Sequence, residues 1–370
     1  MTNKHNSWDL KQMQSLPLEA KIRMTKLRIQ AWYESWKRYE IYNEKTKKTK
    51  FITATEEPPL EDYEYVETVT SGWVYLSFSG GKDSTVLKHI IDSMYSDVPA
   101  LFVNTGLEYP EIQNFVREIK NGKYDCFNSD VEIVRPEMRF DEVLKTYGYP
   151  VISKENSLYI RQCQNPTNNN ATTIRLRKEG IRSDGTISSV GRIPQKYMHL
   201  IESPIPISEQ CCDVMKKKPA KTYGKETGRI PFIGTLAEES KLRYRKWLQN
   251  GCNAFESKSP SSQPLSFWTE QDILEYIQKF DVPYCPVYGE ILSENDRLKT
   301  SGCSRTGCIF CMFGCHLEKE PNRFQTLKET HPKQYEYCIG GGEMVNGKWQ
   351  PNKEGLGLGK VLDYIGVKYE

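Results

Sequence analysis

The stretch that most constrains the fold is Val-Tyr-Leu-Ser-Phe-Ser-Gly-Gly-Lys-Asp-Ser at residues 74–84. An apolar run leads into two glycines, and apolar residues then recur with helical spacing at positions 86, 87, 90, 91 and 94. The pattern predicts a strand, a tight turn and the start of a helix. Such a turn directs backbone N–H groups and the positive end of the helix dipole at one point, so we expect a site for phosphate oxygens.

Each residue of this loop suits an anion site. Gly80 and Gly81 let the backbone approach phosphate oxygens closely, Lys82 adds a positive charge, and Ser79 and Ser84 add hydroxyl donors. A Walker loop is excluded, because the lysine follows the glycines directly and the G-x-x-x-x-G-K-[ST] spacing is absent. The competing interpretation is an ordinary strand–helix turn that uses glycine for its geometry, and the complete six-residue string makes it the weaker one.

The string Ser-Gly-Gly-Lys-Asp-Ser resembles the PP-loop of the adenine-nucleotide α-hydrolase superfamily, and downstream motifs resemble its phosphoadenosine phosphosulfate (PAPS) reductase branch. Proteins of this family bind ATP, PAPS or adenosine phosphosulfate (APS) on a parallel sheet. They act at the α-phosphate or at the sulfur attached to it. The resemblance implies an adenine nucleotide at this loop, Mg²⁺ on Asp83, and catalytic roles for Lys82, Asp83 and Arg243.

Strand and helix patterns alternate along the chain after this loop. Apolar runs at 99–104 and 131–135 are typical of buried parallel strands, and helical spacing follows them over 111–120 and 140–147. With a fourth strand at 230–235, they predict an α/β fold with a doubly wound parallel sheet. We expect N-terminal helices and a Cys-rich C-terminal region beside it.

The second predicted strand ends in a polar turn, Asn104-Thr105-Gly106. Ligands of open α/β sheets lie beyond the carboxyl ends of the strands, so this turn is predicted beside the PP-loop. The resemblance implies that it receives the adenosine. By contrast, residues 153–205 lack clear periodicity and contain turn residues, so a loop-rich excursion with scattered basic residues is expected there.

A second phosphate-side motif is suggested after the fourth strand. The segment resembles the family's Gly-x-Arg-x-x-Glu-Ser-x-x-Arg motif, and its matching residues are Gly234, Glu239, Ser240 and Arg243. Leu236 stands where the family has its first arginine, so one anion contact is missing or comes from Arg243 or Arg245. The acidic residues are equally explained as first-turn residues of a helix predicted from Ala237 to Trp247.

The cysteines form two groups. Cys211 and Cys212 are adjacent, whereas the downstream group has the spacing C-x4-C-x2-C-x3-C and comprises Cys303, Cys308, Cys311 and Cys315. With no apolar leader in the sequence, the cytoplasm is the expected compartment, where metal ligands are more expected than disulfides. Four thiolates can bind an iron–sulfur cluster or zinc.

The sequence allows two alternative sets of cysteine ligands for a metal site. The four downstream cysteines can bind one metal group among themselves, or the adjacent pair can join two of them. The second arrangement resembles the APS reductase subgroup and implies a [4Fe-4S] cluster, with zinc as the alternative, on Cys211, Cys212, Cys308 and Cys311. Cys303 and Cys315 are then surplus.

The chemistry is left open by a missing segment. Sulfonucleotide reductases carry a C-terminal Glu-Cys-Gly-x-His segment whose cysteine attacks sulfur, and the nearest string here is Tyr337-Cys338-Ile339-Gly340. One hypothesis is therefore sulfonucleotide reduction with Cys338 as an altered nucleophile. The other is ATP-dependent sulfur transfer, as in the related tRNA and DNA thiolation enzymes. A non-catalytic nucleotide-binding or nucleic-acid-binding module is the alternative from another class.

Charge patterning divides the chain into segments. Residues 1–50 are predicted as a basic helical segment, residues 51–70 with Pro58-Pro59 as an acidic linker, 71–300 as the nucleotide-binding domain and 301–370 as the Cys-rich region. Between 21 and 50, ten basic residues face three acidic ones, so nucleic acid is a candidate partner. The favoured interpretation is a helix packed through its tryptophans. A sulfur or electron donor protein and a second copy of the chain are further candidate partners, and no membrane association is expected.

Overall fold

A computed structural model describes residues 3–43, 46–57 and 64–370. The α-helices are α1 (Ser7–Gln14), α2 (Leu18–Ser35), α3 (Lys82–Asp92), α4 (Pro110–Lys120), α5 (Phe140–Tyr147), α6 (Lys154–Gln164), α7 (Ala171–Glu179), α8 (Lys218–Thr227), α9 (Lys241–Asn250), α10 (Glu270–Lys279), α11 (Arg323–Thr330), α12 (Pro332–Ile339) and α13 (Leu358–Tyr364). The strands are β1 (Lys37–Asn43), β2 (Lys48–Ala54), β3 (Glu64–Ser71), β4 (Val74–Phe78), β5 (Ala100–Val103), β6 (Val131–Val134), β7 (Ile230–Ile233), β8 (Asn253–Ala254), β9 (Ser261–Ser262), β10 (Ile291–Glu294), β11 (Arg297–Thr300), β12 (Glu343–Val345) and β13 (Lys348–Gln350).

The main sheet has the strand order β6-β5-β4-β7-β9-β8. The first five of these strands pair in parallel, and β8 pairs antiparallel to β9. The predicted doubly wound α/β sheet is therefore confirmed, and its four predicted strands are β4 to β7. Successive strands run outward from β4 in one direction and continue with β7 on the other side, so the topological switch point lies beside β4.

The core explains why β4 and α3 form where the sequence predicts them. Val74, Leu76 and Phe78 of β4 are buried, and Val86 and Ile90 of α3 are fully enclosed. An apolar strand followed by an apolar helix face buries both elements against each other, which is the main stabilising contribution to such a unit.

Helix α2 is fixed to the main sheet's unit by both apolar and polar contacts. Thr25, which interrupts its apolar face in the sequence, accepts a hydrogen bond from Trp268 Nε1 at 2.9 Å. Lys21 lies 2.7 Å from both carboxylate oxygens of Asp272, and their side chains are 3% and 9% exposed. Trp32 is fully enclosed. The packing interpretation therefore describes this basic helix, and Lys21 is not available to a nucleic acid.

The acidic stretch that the sequence predicts as a linker contributes strands instead. Antiparallel pairing gives the order β2-β1-β3, with β2 ending at Ala54 and β3 beginning at Glu64. Strand β1 and the start of β2 also fall within residues 1–50, which the sequence predicts as a helical segment, and Tyr39 and Ile41 of β1 are buried. Pro58 and Pro59, the strongest linker signal, lie outside the described residues.

The chain divides into two compact units that interleave along the sequence. The first unit comprises the described residues up to Asn104, Glu108–Arg135 and Pro219–Thr306, and it contains the main sheet. The second unit comprises Thr105–Leu107, Pro136–Lys218 and Gly307–Glu370. The sequence predicts one domain over 71–300, but residues 136–218 cluster with the Cys-rich region instead.

The second unit is more helical than its sequence suggests. The expected loop-rich excursion contains α6, α7 and a 3₁₀-helix at Gln195–Ile201. Ser153 caps α6, because its Oγ accepts a hydrogen bond from Asn156 N at 3.1 Å. Ile160 and Cys163 lie on the buried face of that helix. None of the helices in the described part of the chain combines the length and apolar character needed to cross a membrane.

Candidate functional site

The PP-loop lies where β4 ends and α3 begins, at the switch point of the main sheet. Gly80 has φ of +70°, a conformation that glycine adopts without strain. A Cβ on Gly81 would lie 3.1 Å from Thr306 Oγ1 and 3.2 Å from the Tyr288 hydroxyl. A Cβ on Gly234 would lie 2.8 Å from Ser84 Cα. The loop therefore needs small residues both in itself and in the segment after β7.

The hydroxyl groups of the loop hold its shape. Ser79 Oγ and Ser84 Oγ lie 2.9 Å apart, and Ser84 Oγ lies 2.9 Å from Gly81 O. Thr85 Oγ1 donates to the same carbonyl at 3.0 Å. Gly81 is the N-cap of α3 and provides no side-chain cap, so the first turn of α3 presents its N–H groups without a side-chain acceptor from the cap. This is the geometry that binds anions at a helix N-terminus.

Lys82 is 5% exposed and tightly held. Its Nζ donates to Ser304 O at 2.9 Å and lies 3.1 Å from a Glu270 carboxylate oxygen. Its backbone N donates to the Tyr288 hydroxyl at 3.1 Å. The lysine thus brings one buried positive charge to the start of α3.

Asp83 follows in the same turn. Burial raises the pKa of its carboxyl group, whereas the Lys82 charge works in the opposite direction. Its Oδ1 is buried and accepts no hydrogen bond from the described residues. A buried carboxylate oxygen without a hydrogen-bond donor suits a hard cation such as Mg²⁺, so the residue present here fits the ion that the resemblance implies.

The segment after β7 differs in detail from the predicted single helix. Ala237–Glu239 form a 3₁₀ turn, and Ser240 then caps α9 by accepting a hydrogen bond from Arg243 N at 3.2 Å. The Ser240 cap explains why the helix starts four residues later than predicted. Glu239 forms ion pairs with Arg243 and Arg305, the latter at 2.9 Å.

Leu236, which stands where the family motif has its first arginine, is part of the hydrophobic core. Leu236 is 2% exposed and belongs to the main hydrophobic cluster. Burial lowers the pKa of the Arg243 guanidinium, and the charge of Arg305 adds to this effect. Two guanidinium groups therefore lie in electrostatic reach of each other in the first unit, although neither occupies position 236.

The predicted adenosine turn is divided between the two units. Asn104 directly follows β5 in the first unit, and its backbone N donates to Val134 O at 2.8 Å. Thr105 and Gly106 cluster with the second unit, where Thr105 Oγ1 accepts a hydrogen bond from Leu107 N at 3.1 Å. A role of these three residues in binding adenosine stays a prediction.

The adjacent cysteines lie together in the second unit. Cys211 Sγ and Cys212 Sγ are 3.9 Å apart. Their hydrogen bond raises the pKa of Cys211 far above its usual value and lowers that of Cys212 to about 6. Lys154 and Lys216 further stabilise the Cys212 thiolate. The pair therefore carries a thiolate near neutral pH, which is the form that binds metals.

Cys308 and Cys311 lie in electrostatic reach of the adjacent pair, because both raise the pKa of Cys211. Burial followed by the Cys212 charge raises the pKa of Cys311. Arg323 donates to Cys311 O at 2.8 Å and so anchors this end of the site. Soft sulfur donors from these two pairs fit an iron–sulfur cluster or zinc by their chemistry.

The four thiols are not arranged around one ion. Among residues 3–43, 46–57 and 64–370, no group of three or more His, Cys, Asp or Glu side chains has the spacing to hold a metal ion. The surplus cysteines differ from the four: Cys303 belongs to the first unit, where its thiol bonds to Tyr109, and Cys315 is buried with its thiol donating to Met312 O at 3.0 Å. Of the two predicted sets of ligands, only Cys211, Cys212, Cys308 and Cys311 all belong to one unit, because the other set includes Cys303.

Cys338 is enclosed within α12. The residue is 0% exposed, and burial raises the pKa of its thiol well above the usual value. A nucleophilic cysteine needs an accessible thiolate. The structure therefore disfavours the hypothesis that Cys338 is an altered nucleophile.

Sequence reasoning missed several residues that contact the PP-loop. Three of them, Tyr288, Glu270 and Ser304, contact Lys82. Thr306 and Arg305 lie beside them, where they contact Tyr288 and Glu239, and no local sequence signal marks any of the five as a site residue. Only the fold brings these residues to the loop, since about 190 to 220 residues of chain separate them from it.

Comparisons with known proteins give the chain its family. A crystal structure of PAPS reductase from Candida auris, as a phosphate complex, aligns over 60% of this chain and 82% of its own with 15% identity and a TM-score of 0.33. An uncharacterized protein of Methanocaldococcus jannaschii is 25% identical over 265 residues, which are 70% of this chain but only 44% of that relative's length. The model of the phosphoadenosine phosphosulfate reductase domain matches residues 73–181 and 181–313. The two matches to this family model span more than half of the sequence, and the chain therefore belongs to the phosphoadenosine phosphosulfate reductase domain family.

Proposed function

We propose that the protein is an enzyme of sulfur chemistry that binds an adenine nucleotide, namely ATP, APS or PAPS, at the PP-loop. The observation that carries this proposal is the glycine turn at the switch point of the sheet. It leads directly into the N-terminus of α3, whose first residue is the buried Lys82. A helix N-terminus with a nearby cation stabilises phosphate oxygens. Family membership supports the same class of ligand.

The residues of the first unit divide the work of binding. Ser79, Gly80, Gly81 and Ser84 would bind phosphate oxygens through hydroxyl and N–H donors, while Lys82 and Arg243 neutralise charge that develops on the reacting phosphate. Asp83 would hold Mg²⁺, and the ion would supply positive charge to the phosphate group. Glu239 and Ser240 would position Arg243 through the ion pair and the helix cap.

The cysteines of the second unit would hold a [4Fe-4S] cluster, with zinc as the alternative metal. The ligands would be Cys211, Cys212, Cys308 and Cys311, and a cluster there would supply electrons or an exchangeable sulfur site to the reaction. The Cys211 hydrogen bond lowers the pKa of Cys212 to about 6, which supports this assignment because metals bind the thiolate form.

The reaction that we favour is ATP-dependent sulfur transfer. An acceptor oxygen attacks the α-phosphorus of ATP, the bond to the bridging oxygen breaks, and pyrophosphate leaves with the electron pair. Sulfide-level sulfur from a donor protein then displaces AMP, so that sulfur replaces the acceptor oxygen. The buried Cys338 favours this route, because sulfonucleotide reduction needs an accessible attacking thiolate.

Sulfonucleotide reduction is the second candidate, and the two cysteine pairs favour it. In that reaction a thiolate attacks the sulfur of APS or PAPS, AMP or its 3′-phosphate leaves, and an electron donor protein reduces the thiosulfonate to release sulfite. Incubation with ATP labelled at the α-phosphate, and separately with PAPS, distinguishes the two. Pyrophosphate and AMP without sulfite support our proposal; sulfite that persists in the Cys338→Ser variant would mean reduction by another thiol.

A Lys82→Ala variant tests whether the protein is an enzyme at all. Loss of turnover in this variant, with turnover kept in the exposed control Lys299→Ala, supports catalysis at the PP-loop. Tight nucleotide binding without turnover in the unmodified protein would instead identify a nucleotide-sensing module. Iron, sulfide and zinc are quantified on the same anaerobic sample, and a colourless protein with one zinc per chain would overturn the cluster assignment.

We propose that the acceptor is a nucleic acid. The surface that binds it would be a basic surface of the second unit and not the basic N-terminal helix. Helix α7 has no buried residue, and the chain from it to the 3₁₀-helix carries exposed basic side chains at Arg175, Arg182, Arg192 and Lys196. Such a basic surface binds phosphate backbones in a salt-dependent manner. An Arg182→Ala/Arg192→Ala variant should bind DNA or RNA more weakly, with a shallower salt dependence; unchanged binding would contradict the assignment.

A further inference from the structure

We propose that the segment Ser304–Thr306 is a structural part of the PP-loop site and that Arg305 is a ligand for the terminal phosphoryl or sulfuryl group of a nucleotide. This inference rests on the proposed nucleotide site and adds a residue to it. It also specifies the ligand class, because a cation beyond the α-phosphate selects nucleotides with at least two linked acidic groups.

The two flanking residues of the segment are bound to the loop itself. Ser304 O accepts a hydrogen bond from Lys82 Nζ at 2.9 Å. Thr306 Oγ1 lies 2.6 Å from the Tyr288 hydroxyl, which in turn accepts from Lys82 N at 3.1 Å. Thr306 Oγ1 is also the atom nearest to a Cβ placed on Gly81. These contacts, on either side of position 305, fix the backbone of the segment against the start of α3.

Arg305 lies between these two anchors, and its side chain reaches the phosphate-side motif. Its Nη2 donates to Glu239 Oε1 at 2.9 Å, and the other carboxylate oxygen of Glu239 pairs with Arg243. Glu239 is largely buried, whereas the side chain of Arg305 is 62% exposed. A guanidinium carries five N–H donors, and the bond to Glu239 uses one of them. The side chain is thus oriented by a buried carboxylate while it keeps donors for a ligand.

Two guanidinium groups share a single carboxylate at this point. Burial lowers the pKa of Arg243, the charge of Arg305 adds to this effect, and Glu239 balances only one of the two positive charges. A phosphoryl or sulfuryl group would complete this compensation, and arginine suits such groups through paired N–H donors.

The test compares nucleotides that differ only beyond the α-phosphate. Calorimetry with the full-length holoprotein measures the Kd of ATP and of AMP for wild type, Arg305→Ala and Arg305→Lys. We expect Arg305→Ala to weaken ATP binding about tenfold or more and AMP binding less than about twofold, since a charge-assisted hydrogen bond is lost only with ATP. Arg305→Lys should give an intermediate Kd for ATP.

Arg297→Ala is the matched control, because this arginine is exposed on the neighbouring β10–β11 hairpin. Equal losses for ATP and AMP in Arg305→Ala would overturn the ligand role and leave Arg305 as a tether for Glu239. An ATP Kd unchanged from that of Arg297→Ala would overturn the inference altogether. Failure of the wild type to bind any adenine nucleotide would overturn the proposed function itself, so the failures are distinguishable.

Discussion

The two units of the molecule prepare their candidate sites to different degrees. The PP-loop of the first unit is held by hydrogen bonds among Ser79, Gly81 and Ser84 and by the contacts of Lys82. In the second unit, the described cysteines give one close pair of sulfur atoms, 3.9 Å apart, and no complete metal site. The difference has a physical reason: a phosphate site uses backbone geometry that folding supplies, whereas thiolates repel one another until a metal binds them.

The largest expected effect comes from breaking the cysteine site. Cys308→Ser and Cys211→Ser should each lose nearly all bound metal, since each removes one of four thiolate ligands. Adenine-nucleotide affinity should change less than about twofold, because the PP-loop is organised by its own hydrogen bonds and does not depend on the metal bound to the cysteines. Metal quantification and calorimetry on the same anaerobic sample measure both.

The surplus cysteines provide the controls for this experiment. Cys303→Ser should keep its metal, as should Cys126→Ser, which alters an exposed cysteine of the first unit. If Cys303→Ser lost the metal and Cys211→Ser kept it, the four downstream cysteines would be the ligands, and our assignment would be wrong.

The next largest effect tests the buried ion pair between Lys21 of α2 and Asp272 of α10, which belong to the same unit as the phosphate site. Lys21→Met leaves the buried carboxylate of Asp272 without its cation, and breaking such a pair costs about 3 kcal/mol or more. Urea denaturation should show this loss in the free energy of unfolding. The exposed Arg23→Met in the same helix is the control, with an expected change of less than about 0.5 kcal/mol. Equal stabilities of the two variants would show that the ion pair between Lys21 and Asp272 does not stabilise the first unit.

A smaller effect is expected within the phosphate site. Gly234→Ala would place a Cβ 2.8 Å from Ser84 Cα, so the loop must shift away from the end of β7. We expect the Kd for ATP to rise about tenfold, which is about 1.4 kcal/mol. Gly224→Ala is the matched control, because its Cβ would lie in ordinary contact, 3.4 Å from Arg229 O. An unchanged Kd for Gly234→Ala would mean that the loop is less ordered before ligand binding than its hydrogen bonds indicate.

The local elements of the fold could be predicted from the sequence. The strands β4 to β7 and the glycine turn were predictable, because strand and helix periodicity and turn chemistry are local signals. The start of α9 was predicted four residues early, since Glu238 and Glu239 suit a helix N-terminus, but the cap at Ser240 decides where the helix begins.

Long-range contacts could not be predicted in this way. Nothing local marks Arg305 as a neighbour of Glu239 or Lys21 as the partner of Asp272, because the chain between them is long and only the fold joins them. The interleaving of the units is also invisible to composition, so residues 136–218 were assigned to the nucleotide domain. Charge patterning was misleading at the strands β2 and β3, which overlap the stretch predicted as an acidic linker.

The smallest expected effect is a pH dependence that both units should share. Burial lowers the pKa of His89 in the first unit, with Lys26 adding to the effect, and burial followed by Lys196 lowers that of His316 in the second. Each folded-state pKa lies below the unfolded value of about 6.5, so protonation favours unfolding. Stability should be complete above about pH 6.5 and decrease as the pH falls from there through the folded pKa.

Replacement of each histidine shows which unit limits stability in acid. His89 Nδ1 lies 2.9 Å from the Tyr276 hydroxyl, and glutamine keeps a hydrogen-bonding group there without a titratable charge. His89→Gln should flatten the decrease in urea midpoint between pH 7 and 5 if the first unit unfolds first, and His316→Gln should do so if the second does. Because the phosphate site is organised without a ligand and the cysteine site is not, we expect the larger change from His316→Gln in metal-free protein. The opposite result would show that the first unit is the less stable of the two, and that a preformed site does not imply a stable unit.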